Sequence, residues 1–459
     1  MGWLRSRGER EPGNDRYTPD EVTGLVSRPG LLARAQSAVA AIPSGGMPAL
    51  IVVEVDGVDT VRDGVGLAEA DELVRVLATR CAREAGDRPC VARIGDQQFA
   101  ILYEDDHDPG SVIDTAYRLR AAFAAPVTLT SQHQVLPSSS CGVVTGETVA
   151  AMVDADTFLR GGYLALRDAR RAGHNQIEVC SREMIAVDDD RRMIGRDLRD
   201  ALAGHGLDVC YQPIVDLRTR ATIGFEALVR WSHPVHGQVS PDRFVPLAEE
   251  FGLISDLGRA VLSTAAAQVQ QWSTTFGRAF DLHVNVSGID LTSPGYVEGV
   301  TQCLAGSALP PAQLVLEVTE STVLPELENV QRRISALHEI GVRVAMDDYA
   351  TSRTAPAYLQ ALDVDIVKVQ RALIEPGPSW RTDHLLAGVV SMAAGMGVHV
   401  YGEGIEDELQ RERLVRHGCR VGQGYLFSEP LRPEAATAHL RSEQLSADDG
   451  SPVPARPTV

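Results

Sequence analysis

Val342-Arg343-Val344-Ala345-Met346-Asp347-Asp348 is a short apolar run, rich in β-branched residues, that closes on two adjacent carboxylates. Such a run reads as a buried strand. Carboxylates at its end are costly to bury unless something there uses them. The pattern recurs on both sides. Apolar segments end in polar residues near Gln212, Glu226, Asn285, Glu317, Asp347, Lys368, Glu403 and Gln423, mostly with helix-like stretches between them. This rhythm over residues 196–440 predicts an α/β fold with a (β/α)8-type barrel. In that architecture, side chains at the C-terminal ends of the strands converge on one site.

The polar residues carry a chemistry of their own. Glu226, Glu317, Asp347, Asp348, Glu403 and Glu406 are carboxylates, and Asn285 offers a neutral oxygen. Brought together, they require a counter-charge. Hard oxygen donors suit Mg2+ or Mn2+. The adjacent pair Asp347-Asp348 suits two ions, roughly 3.5–4 Å apart, of the kind that stabilise in-line phosphoryl displacement. Lys368 adds a positive charge beside the developing anion. A lone strand-end glutamate is more often a helix cap or a surface ion-pair partner. Repetition at successive strand ends is what points to a site.

Outside the barrel the texture differs. Residues 21–180 mix strands and helices. Ala49–Val55 reads as a buried strand, Glu69–Arg80 as a helix, Val91–Ile101 as a hairpin turning at Gly95-Asp96, and Ser140–Thr145 as a strand. Phe158–Ala172 reads as a helix stopped by Gly173. This is an α+β domain. Residues 181–195 are charged and read as a connecting helix. Residues 1–20 read as a polar leader, and 441–459 as a disordered tail.

The chain has 459 residues, 44% of them apolar, enough for two cores. Its net charge of −19 argues against a nucleic-acid polymer as partner, but not against a small anion met by local cations. Seven scattered cysteines without a CxxC pair read as reduced thiols of a cytoplasmic protein. No apolar run approaches the length of a membrane span. Met1-Gly2 fits a loose acylation pattern of the kind that matches by chance.

Residues 196–435 resemble the EAL phosphodiesterases of bacterial cyclic-di-GMP signalling. The landmarks are Tyr211-Gln212-Pro213-Ile214, Glu226-Ala227-Leu228-Val229-Arg230-Trp231, Asn285-Val286-Ser287, Leu316-Glu317-Val318-Thr319-Glu320, Met346-Asp347-Asp348, Val367-Lys368-Val369, Gly402-Glu403-Gly404-Ile405-Glu406 and Gln423-Gly424-Tyr425-Leu426-Phe427. The resemblance implies hydrolysis of cyclic-di-GMP to linear pGpG. It implies metal ligation by Glu226, Asn285, Glu317, Asp347 and Asp348, with Glu403 as general base or partner of a metal-bound water. Lys368 would position the water. Gln212 and Arg230 would hold the ligand, and Glu406 and Gln423 would complete the shell. It also implies a homodimer through this domain. The loop after Asp348 departs from the family's DFGTGYSS pattern, reading Tyr349-Ala350-Thr351-Ser352-Arg353-Thr354-Ala355-Pro356. Ala and Ser resist backbone angles that glycine permits. Glu320, the loop's usual anchor, is kept; the usual Asp two residues after the lysine is Gln370. Binding of cyclic-di-GMP without cleavage is the competing expectation.

Residues 21–180 resemble a GGDEF diguanylate cyclase domain in Asp20-Glu21-Val22-Thr23-Gly24-Leu25-Val26-Ser27-Arg28 and in Ala172-Gly173-His174-Asn175. The catalytic signature is Gly95-Asp96-Gln97-Gln98-Phe99, the early metal Asp is Glu54, and the usual phosphate-contacting Lys is Asp59. Amides cannot replace carboxylates that hold Mg2+ against a triphosphate. The inhibitory RxxD site is absent, with Gly86 and Pro89 at its ends. The expectation is a domain without cyclase activity that serves as scaffold or regulator, or binds GTP without turning it over.

Overall fold

A computed structural model describes residues 19–104, 108–145, 148, 154–204, 206–319, 327–349, 359, 361–375 and 380–448. The chain divides into two compact units, Met1–Arg191 and Arg192–Val459.

The first unit is built on a sheet of six strands: β1 (Val26–Ser27), β2 (Ala49–Asp56), β3 (Cys90–Arg93), β4 (Gln98–Tyr103), β5 (Ser138–Val144) and β6 (Ile177–Val179), in the order β1-β3-β4-β2-β5-β6. Side chains alternate along β2. Ile51, Val53 and Val55 join one core, with Leu73, Leu77, Phe99 and Phe123. Leu50 and Val52 join another, with Leu31, Phe158 and Leu166. Helices cover both faces, which is why β2 is apolar from Ala49 to Val53 rather than alternating. They are α1 (Arg28–Ala40), α2 (Leu67–Ala85), α3 (Pro109–Phe123) and α4 (Ala155–Arg171). Gly142 permits the closest approach, since a Cβ there would stand 2.2 Å from the Gly162 carbonyl oxygen on α4. β3 and β4 form the expected hairpin, with Arg93 opposite Phe99.

A single helix, α5 (Arg182–Ala203), takes in the charged stretch at 181–195 and runs beyond it. Its later residues Ile194 and Leu198 are buried in the core of the second unit.

That unit is an eight-stranded closed barrel. Its strands are β7 (Leu207–Asp216), β8 (Thr222–His233), β9 (Asp281–Asn285), β10 (Leu314–Thr319), β11 (Arg343–Tyr349), β12 (Ile366–Val369), β13 (His399–Gly402) and β14 (Val421–Gly422). β8 through β14 are parallel in sequence order, and β7 closes the ring by pairing antiparallel to both β8 and β14. The first repeat is therefore a hairpin, not the strand–helix–strand unit expected. A tight turn replaces the helix. The Asp216 carboxylate accepts from the backbone N–H groups of Arg218 and Thr219, each at 2.9 Å, and Arg220 takes a left-handed φ of 63°. Gln212 and Glu226 consequently lie within long strands rather than at their ends, directly opposite each other across the β7–β8 pair.

Parity along the strands separates two layers. Leu314, Leu316 and Val318 pack outward against the helices. Ile214, Val315, Ala345, Ile366 and Tyr401 form a small apolar cluster of their own, filling the lumen.

The expected tail from residue 441 is corrected in part. Helix α6 (Pro433–Asp448) carries into it as far as Asp448. The polar residues that suggested disorder serve an internal network. Glu443 is buried, accepts from the Thr222 backbone and hydroxyl, and pairs with Arg278 at 2.9 Å. Residues 1–18 of the leader and 449–459 of the tail lie outside the described residues. Among the described residues, no helix is long and apolar enough to cross a membrane.

Candidate functional site

The barrel brings together most of the residues that the sequence singled out, and Lys368 is their hub. It stands on β12 with 1% of its side chain exposed. Its ammonium lies 2.8 Å from Glu317, 3.3 Å from Glu226, 2.5 Å from Glu403 and 3.9 Å from Asp347. These carboxylates come from β8, β10 and β11 and from the turn after β13. Burial works against the charged lysine, but the carboxylates outweigh it and hold its pKa well above the usual range.

The amides organise the rest. Asn285 donates to Glu226 at 2.8 Å, leaving its carbonyl oxygen available. Gln423 donates to Glu226, and to Glu403 at 3.1 Å. The Gln423 carbonyl oxygen is buried without a hydrogen-bond partner. Two backbone stretches zip together to place Glu403 and Gln423 side by side. The Gln423 N–H donates to Gly402, and the Ile405 N–H donates to Gln423. Gly424 is required there, since a Cβ would stand 2.1 Å from the Ile405 carbonyl oxygen.

Asp347 and Asp348 need a special backbone. Neighbouring strand residues point to opposite faces, so both carboxylates could not ordinarily reach one site. The pairing of β11 with β12 slips by one residue between Met346 and Tyr349, and Asp348 adopts a φ of 57°. This bulge turns both aspartates to the same side; Asp is among the residues that tolerate that region. Asp347, Asp348 and Glu403 then offer oxygens that all lie within 4.8 Å of one another. Among the described residues, this is the one acidic group with metal-ligand spacing.

Electrostatics divide the carboxylates. Burial pushes Glu226 up, but Lys368 and the Gln423 and Asn285 amides hold it below the usual range. Burial pushes Glu317 and Glu403 well up, against the pull of Lys368, and repulsion from neighbouring carboxylates adds to it.

Other expected residues stand apart. Gln212 is buried and donates to the Ser428 carbonyl at 3.4 Å. Arg230 shares the strand face of Glu226 but lies four residues on, about 13 Å along the strand, and donates to the Val229 carbonyl at 2.9 Å. Glu406 is exposed on the rim and pairs with Arg371. Glu320 and residues 350–356 of the altered loop lie outside the described residues. Gln370 donates to Asp348, tying one candidate ligand to an amide. Sequence reasoning missed His283, wholly buried, with Nδ1 2.7 Å from Glu317. The signal was available in its spacing, two residues before Asn285 on the same strand face.

Residues 195–430 match the EAL domain family, and residues 18–176 match the diguanylate cyclase, GGDEF domain family. The chain belongs to the GGDEF–EAL tandem family. An uncharacterized protein of Mycobacterium tuberculosis is 30% identical over 93% of this chain and 68% of its own length. The bifunctional diguanylate cyclase/cyclic di-GMP phosphodiesterase MucR of Pseudomonas aeruginosa is 30% identical over 92% of this chain, which spans 61% of MucR. A solved structure of the PaMucR phosphodiesterase in complex with c-di-GMP covers 53% of this chain and 99% of its own, at 33% identity and a TM-score of 0.51.

In the GGDEF unit the corresponding polar cluster is small. Gln98 donates to Glu54 at 2.7 Å, and Arg170 on α4 pairs with the same carboxylate. Arg170, Arg167 and Arg171 line a cavity of about 430 Å³ together with Glu54 and Gln98.

Proposed function

We propose that the EAL barrel is a divalent-metal-dependent phosphodiesterase that hydrolyses cyclic-di-GMP to linear pGpG. One observation carries this reading. Glu226, Glu317, Asp347 and Glu403 gather around a single ammonium, Lys368, and Asp348 joins Asp347 and Glu403 with oxygens at metal-ligand spacing. Five carboxylates and one ammonium leave a formal charge of −4, the magnitude that two divalent ions neutralise. The donors are all hard oxygens, including the free carbonyl of Asn285, and fit Mg2+ or Mn2+. Such ions, held by Glu226, Asn285, Glu317, Asp347 and Asp348, would supply positive charge to the phosphate and polarise water for an in-line displacement.

The chain's own residues do the rest. Arg230, further along the β8 face, offers a guanidinium to a phosphate of the dinucleotide. Gln212 lines the floor beside Glu226. Glu403, beside Asp347 and Asp348, accepts a proton from the attacking water. Lys368 holds Glu317, Glu226 and Glu403 in place. The water oxygen forms the new P–O bond as the bond from phosphorus to the ribose oxygen breaks; that oxygen takes up the proton that Glu403 received, and the ring opens to pGpG. The similarity to the PaMucR phosphodiesterase supports this substrate.

A second reading, binding without cleavage, is favoured by the Gln370–Asp348 hydrogen bond, which ties up one candidate ligand. One assay separates the two: the full chain with cyclic-di-GMP and Mn2+, with pGpG followed over time. Steady pGpG formation supports the hydrolase. Saturable binding of intact cyclic-di-GMP with no pGpG overturns it in favour of the receptor.

The GGDEF unit is proposed to lack cyclase activity. Glu54 is already met by Arg170 and Gln98, which supports a site with no call for a metal ion. Incubation with GTP and Mg2+ should give no cyclic-di-GMP. The neighbouring arginines leave regulatory binding of GTP open to calorimetric titration.

A further inference from the structure

Beneath the carboxylates, Ile214, Val315, Ala345, Ile366 and Tyr401 make an apolar layer of the lumen, and His283 stands beside it. β9 points Leu282 and Val284 outward into the helix-facing core, and His283 inward. Its strand neighbours in register are Glu226 on β8 and Val315 on β10. The ring lies 5.7 Å from that of Tyr401, itself a member of the lumen cluster. Nδ1 stands 2.7 Å from Glu317, and Nε2 is buried without a hydrogen-bond partner. An aliphatic side chain would fill this place without stranding a polar atom, and a half-satisfied buried group calls for an explanation. Packing alone does not supply one.

We propose that His283 is a positioning residue that fixes the Glu317 carboxylate for metal binding. The inference rests on Glu317 being a metal ligand, as argued above. The terminal torsion of a glutamate is broad, so one anchor leaves the carboxylate plane free to turn. Lys368 supplies one anchor at 2.8 Å and His283 the second, from another strand. Held on two sides, Glu317 keeps a lone pair directed toward the face where Glu226 and Asp347 gather. Outer groups of this kind set ligand orientation, and their loss typically weakens metal binding 10–100-fold.

The test is Mn2+ titration of the purified full chain by calorimetry, without substrate, with thermal unfolding of the metal-free protein in parallel. His283→Leu should weaken Mn2+ binding by about tenfold or more while the metal-free unfolding temperature changes little. His283→Asn keeps a donor where Nδ1 stood and should restore most of the affinity. His283→Gln, whose amide reaches past that place, should not. Should the leucine variant fail to fold, the Asn–Gln contrast carries the test, and equal affinities in those two overturn the proposal. Glu317→Gln separates the two levels of inference. If it weakens Mn2+ binding while His283→Leu binds as the wild type does, only the positioning role falls. If Glu317→Gln binds Mn2+ as the wild type does, the ligand assignment falls and this proposal with it.

Discussion

Glu54 and Glu317 are both buried glutamates on strands of a mixed α/β unit, and they live in opposite electrostatic conditions. Glu54 meets one guanidinium and one amide, so its charge is matched locally. Glu317 shares one ammonium with Glu226, Asp347 and Glu403. The first cluster is closed; the second carries excess negative charge in a buried place. Folding alone does not reward such an excess, because buried charges cost free energy unless paired. The contrast teaches that the sum of charges over a cluster, rather than the presence of an acidic residue, marks where a cation belongs.

The comparison is most directly broken by turnover. Glu403→Ala and Glu226→Gln should each lower pGpG formation by about a thousandfold or more, whereas Glu54→Gln should leave it within about twofold. Persistent turnover in both barrel variants would sink the assignment of the site. Next in size is Lys368→Met. Removing the hub leaves carboxylates facing one another, and unfolding in urea should show a loss of about 3–5 kcal/mol. Mn2+ should recover part of that loss; a variant as stable as the wild type would show that the lysine is not what holds the cluster. A smaller effect sharpens the other side. Gln98→Glu sets a second carboxylate against Glu54 and should destabilise by about 1 kcal/mol. It should also make the melting temperature sensitive to Mn2+, the behaviour expected of the barrel cluster and not of the wild-type Glu54 cluster.

The smallest expected effect concerns a matched carboxylate inside the barrel unit. Burial raises the Glu443 pKa, but His439, Thr222 and Arg278 outweigh it and hold it below the usual range. A depressed folded pKa contributes stability above the unfolded value of about 4.3, and that contribution is lost as pH falls through the folded pKa. Glu443→Gln should therefore cost about 1–2 kcal/mol at pH 7, with the gap to wild type closing in acid. Urea midpoints at the two pH values measure it, and a gap independent of pH would remove the charge as its cause.

The barrel and its acid-bearing strands were legible in the sequence because a carboxylate closing an apolar run stands out against the cost of burying it. Gln212 and Glu226 were singled out in the sequence, but not as members of an antiparallel pair. The Asp216 turn that replaces the helix is short, and hairpin and helical connections differ little in composition there. The Glu443 network was hidden for a related reason: polar residues near a terminus resemble a solvated tail until a partner such as Arg278 is placed beside them.

What the sequence by itself determined is the inventory: which strands exist, which carry acids, and that Gln97 and Gln98 stand where a cyclase needs carboxylates. Only the tertiary structure decided which of those groups share a charge environment. Strand parity would send Asp347 and Asp348 to opposite faces; the slipped register at Met346–Tyr349 turns them to one. His283 meets Glu317, and Arg170 meets Glu54, across 34 and 116 positions of chain respectively. Composition and period report on neighbours along the chain. Electrostatics act through space, and there the closing of the sheet and the barrel chooses the neighbours.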